Sequence, residues 1–335
     1  MDAAQRIRGT VVTKQTHRAF ALLTLVAVLA IPGTGLQAQT AAPVLLRIAT
    51  PGGDGNAMAW YAQDTGIFHK YGLDSQIEAI RRGSGAAIAA AVTGGSADIG
   101  EGDIISVAAA REHGIFLTML APSFLYRSAE PIAALIVAKT STFKTAKDLD
   151  GSVIAVPSLE GPAKLATQKW LQLHGADIST IKFVELSPAN MAASVAQGTV
   201  SAASLNEPYL APALDRDREL GYPYDAFGKT VQVSIWFARD DWVKTHADVA
   251  QRFTRAMRET AAWANDPKNR PLSAAILQKY DNFPSDQIGH MRRAAYGERF
   301  DPAVMQPLLD AAFQQRSLPN PIDAKDLIGS SAAVK

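Results

Sequence analysis

RRGSGAAIAAAVTGGSADIGEGDIISVAAAREHG, residues 81–114, reads as glycine-marked turn, helix, short strand, turn, second helix and glycine stop. Gly83, Ser84 and Gly85 allow a tight turn, because glycine takes positive φ without a Cβ clash. Ser84 is then an N-cap candidate, its hydroxyl accepting from an unpaired N–H of the first turn. Residues 86–93 are helical by composition, and Gly94-Gly95 closes them. Residues 97–100 predict a short strand, and Gly102-Asp103 leads into a second helix that ends at His113-Gly114. A histidine in the last turn before glycine suits the negative end of the helix dipole. Two helix N-termini then face one side of an α/β sheet, at the carboxyl ends of its strands. Open α/β sheets bind small molecules in such a crevice.

Upstream, residues 44–50 (VLLRIAT) predict a buried strand, and 51–56 (PGGDGN) a glycine-rich loop. Residues 57–68 predict a helix with Gly66 as a late interruption, and 75–80 return as a strand. That is one right-handed βαβ crossover, and the opening stretch supplies another. Downstream, 116–120 predict a strand and 122–128 an irregular segment. Residues 131–139 and 153–156 then predict apolar strands on either side of a short polar helix, 146–151. Pro162 stands at a first helical position, starting a helix that Gly175 stops. Residues 181–186 predict a strand, 190–197 a helix and 200–205 a strand running into Asn206-Glu207-Pro208. The grammar of the first region repeats, so two α/β lobes follow. A single strand is expected over 229–238, then helices over 248–265, 271–280, 285–295 and 302–315, then a loosely docked tail over 314–335.

The N-terminus sets the compartment. Arg6, Arg8, Lys14 and Arg18 stand against Asp2, and residues 19–31 (AFALLTLVAVLAI) form an apolar run broken by Pro32-Gly33. The run is short for a membrane span and fits a cleaved secretory signal over residues 1–38. No cysteine occurs, so no lipid tether, disulfide or thiolate chemistry is expected. Loss of the signal takes away those four basic groups and one acidic group. The 33 basic and 32 acidic residues become 29 and 31, a mildly acidic exported chain with no electrostatic case for nucleic acid.

Four motifs lie in order: GIFHKYGL at 66–73, GGSADIG at 94–100, DLDG at 148–151 and NEP at 206–208. Together, behind a signal sequence, they resemble the solute-binding proteins of ABC importers for nitrate, taurine, alkanesulfonates and thiamine-pyrimidine precursors. The resemblance covers residues 46–246. It implies a type II periplasmic-binding fold, two α/β lobes joined by two hinge crossings around a ligand cleft. By analogy the crossings fall near 126–131 and 227–233, giving lobe one as 44–128 plus 229–335 and lobe two as 129–228. It also implies that the C-terminal helices pack back on lobe one. The implied partners are a small-molecule ligand and an ABC permease with its ATPase, the protein itself being a periplasmic monomer.

A hinged cleft closes because the ligand touches both lobes only when they meet. Candidate contacts are therefore loops at strand ends: Asp54, Gly55, Asn56, Ser84, Gly85, Gly102 and Asp103 in lobe one, and Ser158, Glu160, Gly161, Asn206 and Glu207 in lobe two. Trp236, near a crossing, is a candidate to stack on a flat ligand. Asp103 reads equally as helix cap and as ligand contact, Asp54 and Asn56 as turn formers, Glu207 as a first-turn acid and Trp236 as core. Ser84 with Gly85 is the foremost candidate, because helix N-terminal amides bind anions without a basic side chain. Against an anion, Asp54, Glu101, Asp103, Glu160 and Glu207 surround the cleft with carboxylates, which suit an amino-pyrimidine or another nitrogenous ligand. Arg81 and Arg82 offset them in part. Nitrate, a sulfonate, taurine, an aromatic carboxylate and an amino-pyrimidine all remain open.

No catalytic residue, cofactor or metal is expected. The six histidines are scattered and no phosphate-binding loop follows a strand. A pyrimidine-synthesising enzyme of the same superfamily would bring a cysteine-rich motif, which this chain lacks. A ligand-presenting sensor subunit is the other alternative.

Overall fold

The computed structural model describes residues 42–80, 85–281, 283–330 and 332. The signal expected over 1–38, and Arg81, Arg82 and Ser84, lie outside the described residues. Among the described residues, thirteen strands carry the fold. β1 is Val44–Thr50, β2 Leu73–Ala79, β3 Ile99–Asp103, β4 Leu117–Pro122, β5 Phe124–Arg127 and β6 Ala133–Ala138. β7 is Val153–Val156, β8 Lys182–Glu185, β9 Ala202–Asn206 and β10 Asp217–Gly221. β11 is Thr230–Gln232, β12 Ser234–Arg239 and β13 Ala295–Tyr296.

The first lobe is built on the sheet β2-β1-β3-β12-β4, in which only β12 runs antiparallel to its neighbours. The second is built on β10-β6-β9-β7-β8, parallel through β9-β7-β8 and antiparallel through β10-β6-β9. Between them β5 pairs antiparallel with both β11 and β13 in a small sheet of its own. The chain thus leaves the first lobe along β5 and returns along β11, the two passages hydrogen-bonded side by side. The C-terminal strand β13 pairs with the other edge of β5.

Alternation along β12 sorts the first lobe's core. Trp236 points to the face covered by the helices Met58–Asp64 and Ala247–Asn265, among Met58, Tyr61, Phe253 and Met257. Phe237 points to the other face, with Ile88, Val92, Ile104, Met305 and Leu308. Gly100 lets the helix Gly85–Thr93 lie close on β3, since a Cβ there would come within 2.8 Å of Ile88 and Val92. That close approach is the physical content of the GGSADIG motif.

Several expectations are corrected. Gly66, left-handed at φ 74°, splits the expected helix into Met58–Asp64 and Ile67–Lys70. Residues 124–127, expected to be irregular, form β5, because their pairing partners come from β11 and β13, far along the chain. The strand expected over 229–238 breaks at Val233 into β11 and β12, which belong to different sheets. β10 was not expected at all. The helix expected over 285–295 stops at His290, and the chain turns into β13. The tail is not loose: Leu318, Ala324 and Leu327 are buried, and the Gly329 N–H donates to the Met119 carbonyl at 2.9 Å.

Candidate functional site

The carboxyl ends of β1 and β3 and the loops after β7 and β9 converge from the two lobes. Gly53 stands opposite Pro208, a Cβ built on Gly53 lying 4.0 Å from the proline Cδ. Phe283 meets Tyr209 edge-on at 5.7 Å, and the Gln287 side chain donates to the Pro208 carbonyl at 2.6 Å. These contacts bridge loops of the two sheets, which belong to one compact unit.

Asp103 ends β3 and caps the helix Ile104–Glu112. Its carboxylate accepts the Ser106 N–H at 2.8 Å and the Ser106 hydroxyl at 2.8 Å. Burial raises its pKa, against the pull of those bonds and of backbone amides. Gly85 opens the neighbouring helix directly against it, because a Cβ on Gly85 would overlap the Asp103 carboxylate. Gly102 packs on Phe237 beside them.

Asp54 is occupied elsewhere. It is 1% exposed, paired with Arg293 at 2.9 Å, and accepts the Ala294 N–H at 2.6 Å and the Tyr61 hydroxyl at 3.3 Å. The Tyr296 hydroxyl takes its carbonyl. Its carboxylate ties the 51–56 loop to the segment before β13 and is not free for a ligand. Gly55 packs on Phe124, 3.4 Å from a built Cβ. The Asn56 side-chain amide donates to the Gly52 carbonyl at 3.1 Å, shaping the 51–56 loop. Trp236 is fully buried, edge-on to Phe253 at 5.6 Å, so it belongs to the core and not to the cleft.

In lobe two, Ser158 accepts the Glu160 N–H at 3.3 Å, shaping the turn before the helix Pro162–Leu173. Gly161 stands at that helix's N-cap with no side-chain cap, and Glu160 is exposed. The Asn206 amide donates to the Glu207 carbonyl at 3.3 Å. Glu207 is buried and accepts the Ala211 N–H at 3.0 Å and the Arg292 N–H at 3.2 Å. Burial pushes its pKa up to about 7 despite those amides.

Local patterns missed the arginine pair. Arg293 grips Asp54 of the first lobe. Arg292 reaches Glu219 of the second at 2.5 Å and the Pro131 carbonyl on the first passage. Their partners lie far upstream, so no local spacing announces them. The sequence signal available was two adjacent arginines after a short helix, in a chain with a buried acid to neutralise.

Glu101 is fully buried beneath the 51–56 loop, touching the Ser123 hydroxyl and, at 2.7 Å, the Thr50 hydroxyl. Thr50 has one proton and a second acceptor, the Asn56 carbonyl at 3.0 Å. Both contacts are satisfied when Glu101 carries a proton and donates to Thr50, which donates on to Asn56. Burial pushes Glu101 up to about 8, consistent with a neutral acid.

A family model described as NMT1/THI5 like matches residues 56–270. The chain belongs to that family. Among solved structures, the periplasmic aliphatic sulphonate binding protein SsuA of Escherichia coli is 21% identical, with a TM-score of 0.70 over 88% of this chain and 94% of that one. The alkanesulfonate-binding protein SsuA from Xanthomonas axonopodis pv. citri, bound to MOPS, is 20% identical, with a TM-score of 0.70 over 86% and 99%. The periplasmic nitrate-binding protein NrtA from Synechocystis PCC 6803 is 16% identical, with a TM-score of 0.68 over 86% of each chain. At these identities the likeness is one of fold. No curated protein matches the chain in sequence.

Proposed function

We propose that this protein is the periplasmic solute-binding component of an ABC importer, and that it binds its ligand without transforming it. The observation that carries this reading is the paired passage β5–β11 beneath a cleft whose walls meet at Gly53 and Pro208. Two adjacent strands bend together, so the lobes open and close about them while their cores stay packed. Residues 44–128 with 229–335 form one moving body and 129–228 the other. The ligand lies between Asn56, Gly85, Gly102 and Asp103 on one side and Ser158, Glu160, Gly161 and Asn206 on the other, with Ser84 beside Gly85. The closed form is what the permease recognises. Membership of the family and the fold shared with sulfonate- and nitrate-binding proteins support this assignment.

The absence of cysteine makes the test direct. Leu45 on lobe one and Leu173 on lobe two are both exposed. With L45C and L173C carrying spin labels, the distance between them is expected to shift to one shorter value when a ligand binds. A distance that stays fixed across alkanesulfonates, nitrate, aromatic carboxylates, aminopyrimidines and polyamines overturns the reading.

A further inference from the structure

Alternation along β5 sends neighbouring side chains to opposite faces of the small sheet. Tyr126 turns to Asp225, to which its hydroxyl donates at 2.8 Å. Leu125 and Arg127 take the other face. β13 pairs Ala295 with Leu125, and that register, carried two residues outward, sets Arg293 opposite Arg127. The two arginines do share a space. Both line a cavity of about 60 Å³, together with Arg270 from the helix Arg270–Asp281. None of the cleft residues considered above lines it.

Like charges brought opposite one another across strands repel. The acids at hand do not balance these three. Glu130 is the only carboxylate side chain lining the cavity, and it pairs with Arg270 at 3.3 Å, with about half of each side chain in solvent. Asp54 accepts from Arg293 Nε, and the Tyr61 and Ser273 hydroxyls accept from Nη2. Among the described residues no hydrogen bond uses Arg293 Nη1, and none uses the Arg127 guanidinium. Asp2, in the expected signal, is the only acidic side chain outside the described residues, so the mature chain holds no further one to bring here. A space of this size takes an ion of a few atoms, whereas pockets for organic ligands run from about 300 Å³.

We infer that the protein carries a binding site apart from the cleft, for a small inorganic oxyanion of the phosphate or sulfate class, held by Arg127, Arg270 and Arg293 beside the β5–β13 pairing. Guanidinium groups meet such oxyanions through paired N–H···O bonds, which a spherical halide does not offer. The anion would brace two parts of lobe one at once. Through Arg127 it steadies the end of β5, and through Arg293 it steadies Asp54 and the 51–56 loop. The site does not depend on the solute-binding reading above.

The test is calorimetric titration of the protein, R127Q, R270Q and E130Q with sodium phosphate and sodium sulfate, against sodium chloride at matched ionic strength. Arg127, Arg270 and Glu130 are exposed, so the variants keep the fold, which apo melting curves check. Arg293 is left in place because buried Asp54 depends on it. Phosphate or sulfate is expected to bind the protein, and R127Q and R270Q are each expected to weaken it by about 10-fold or more. E130Q, which removes the competing carboxylate, is expected to tighten it. No binding of either oxyanion overturns the inference, and so does an equal response to chloride. Equal affinity in R127Q puts the anion elsewhere, the cleft included, and overturns it as well. Weaker binding in E130Q does the same, since the acid would then be helping to hold the ligand. Solute binding in the cleft stands or falls separately, on the interlobe distance.

Discussion

Corresponding strand–loop–helix units in the two lobes end differently. In lobe one β3 runs into Asp103, whose carboxylate caps the helix Ile104–Glu112. In lobe two β7 runs through Ser158 and Glu160 to Gly161, and the helix Pro162–Leu173 starts with no side-chain cap. The arginine pair repeats the contrast. Arg293 serves lobe one, where its partner Asp54 is 1% exposed. Arg292 serves lobe two, where its partner Glu219 has about a fifth of its side chain in solvent. In lobe one Asp54, Glu101 and Asp103 sit in internally satisfied sets, whereas in lobe two Glu160 stands exposed and the Pro162–Leu173 helix starts uncapped. On the proposed function, lobe one is the fixed wall and lobe two supplies the adaptable one.

The sharpest way to break this contrast is at the arginines. R293A leaves the Asp54 carboxylate buried and uncompensated, and is expected to destabilise by about 3–5 kcal/mol in urea denaturation. R292A removes a partly exposed pair and is expected to cost about 1 kcal/mol. Equal losses would show that both lobes depend on the pair alike.

The buried acids sharpen it through pH. Glu101 in lobe one rises from 4.5 to about 8, and Glu207 in lobe two from 4.5 to about 7. Both bind a proton more tightly when folded, so each makes stability fall as pH rises from its unfolded to its folded pKa. The slope is at most about 1.4 kcal/mol per pH unit for each group. E101Q, which keeps a donor toward Thr50, is therefore expected to be near neutral at pH 4.5 and increasingly stabilising relative to wild type up to about pH 8. The gain from E207Q is expected to stop growing near pH 7. Denaturation series at half-unit steps would separate the two; coincident profiles would assign both acids the same environment.

Overpacking probes lobe two's core. Gly221, at the irregularity of β10, has no room for a Cβ because the Trp170 indole lies against it. G221A is expected to cost about 1–3 kcal/mol, read as a shifted urea midpoint at unchanged slope. A neutral result would mean that Trp170 turns aside freely and that this lobe is loosely packed.

The parallel parts of both sheets were legible because each unit is local: a strand, a glycine or proline turn, a helix, a strand. Asp103 as a helix start was legible for the same reason. What stayed hidden depends on distant partners. β5 is a strand only because β11 and β13 flank it, and Val233 breaks a continuous β-rich run only because two sheets claim its halves. Asp54 looked like a ligand contact because an acid in a glycine-rich loop carries no mark of an arginine 239 residues later. Trp236 sits beside the cleft in sequence, yet the alternation of β12 turns it into the core.

The smallest expected effect returns to the two helix starts. D103A removes the only side-chain cap on Ile104–Glu112 and frees the Ser106 amide, for an expected loss of about 1 kcal/mol without ligand. D103N replaces one capping side chain with another and is expected to stay close to wild type. G161A changes a start that has no side-chain cap to lose, and its expected cost is a few tenths of a kcal/mol, provided Ser158 yields to a methyl group 3.2 Å from its Cβ. Thermal melts of the three variants order the helix starts directly. If G161A costs as much as D103A, the lobe-two helix depends on a contact that its backbone hydrogen bonds do not account for. Its openness would then no longer distinguish the two walls of the cleft.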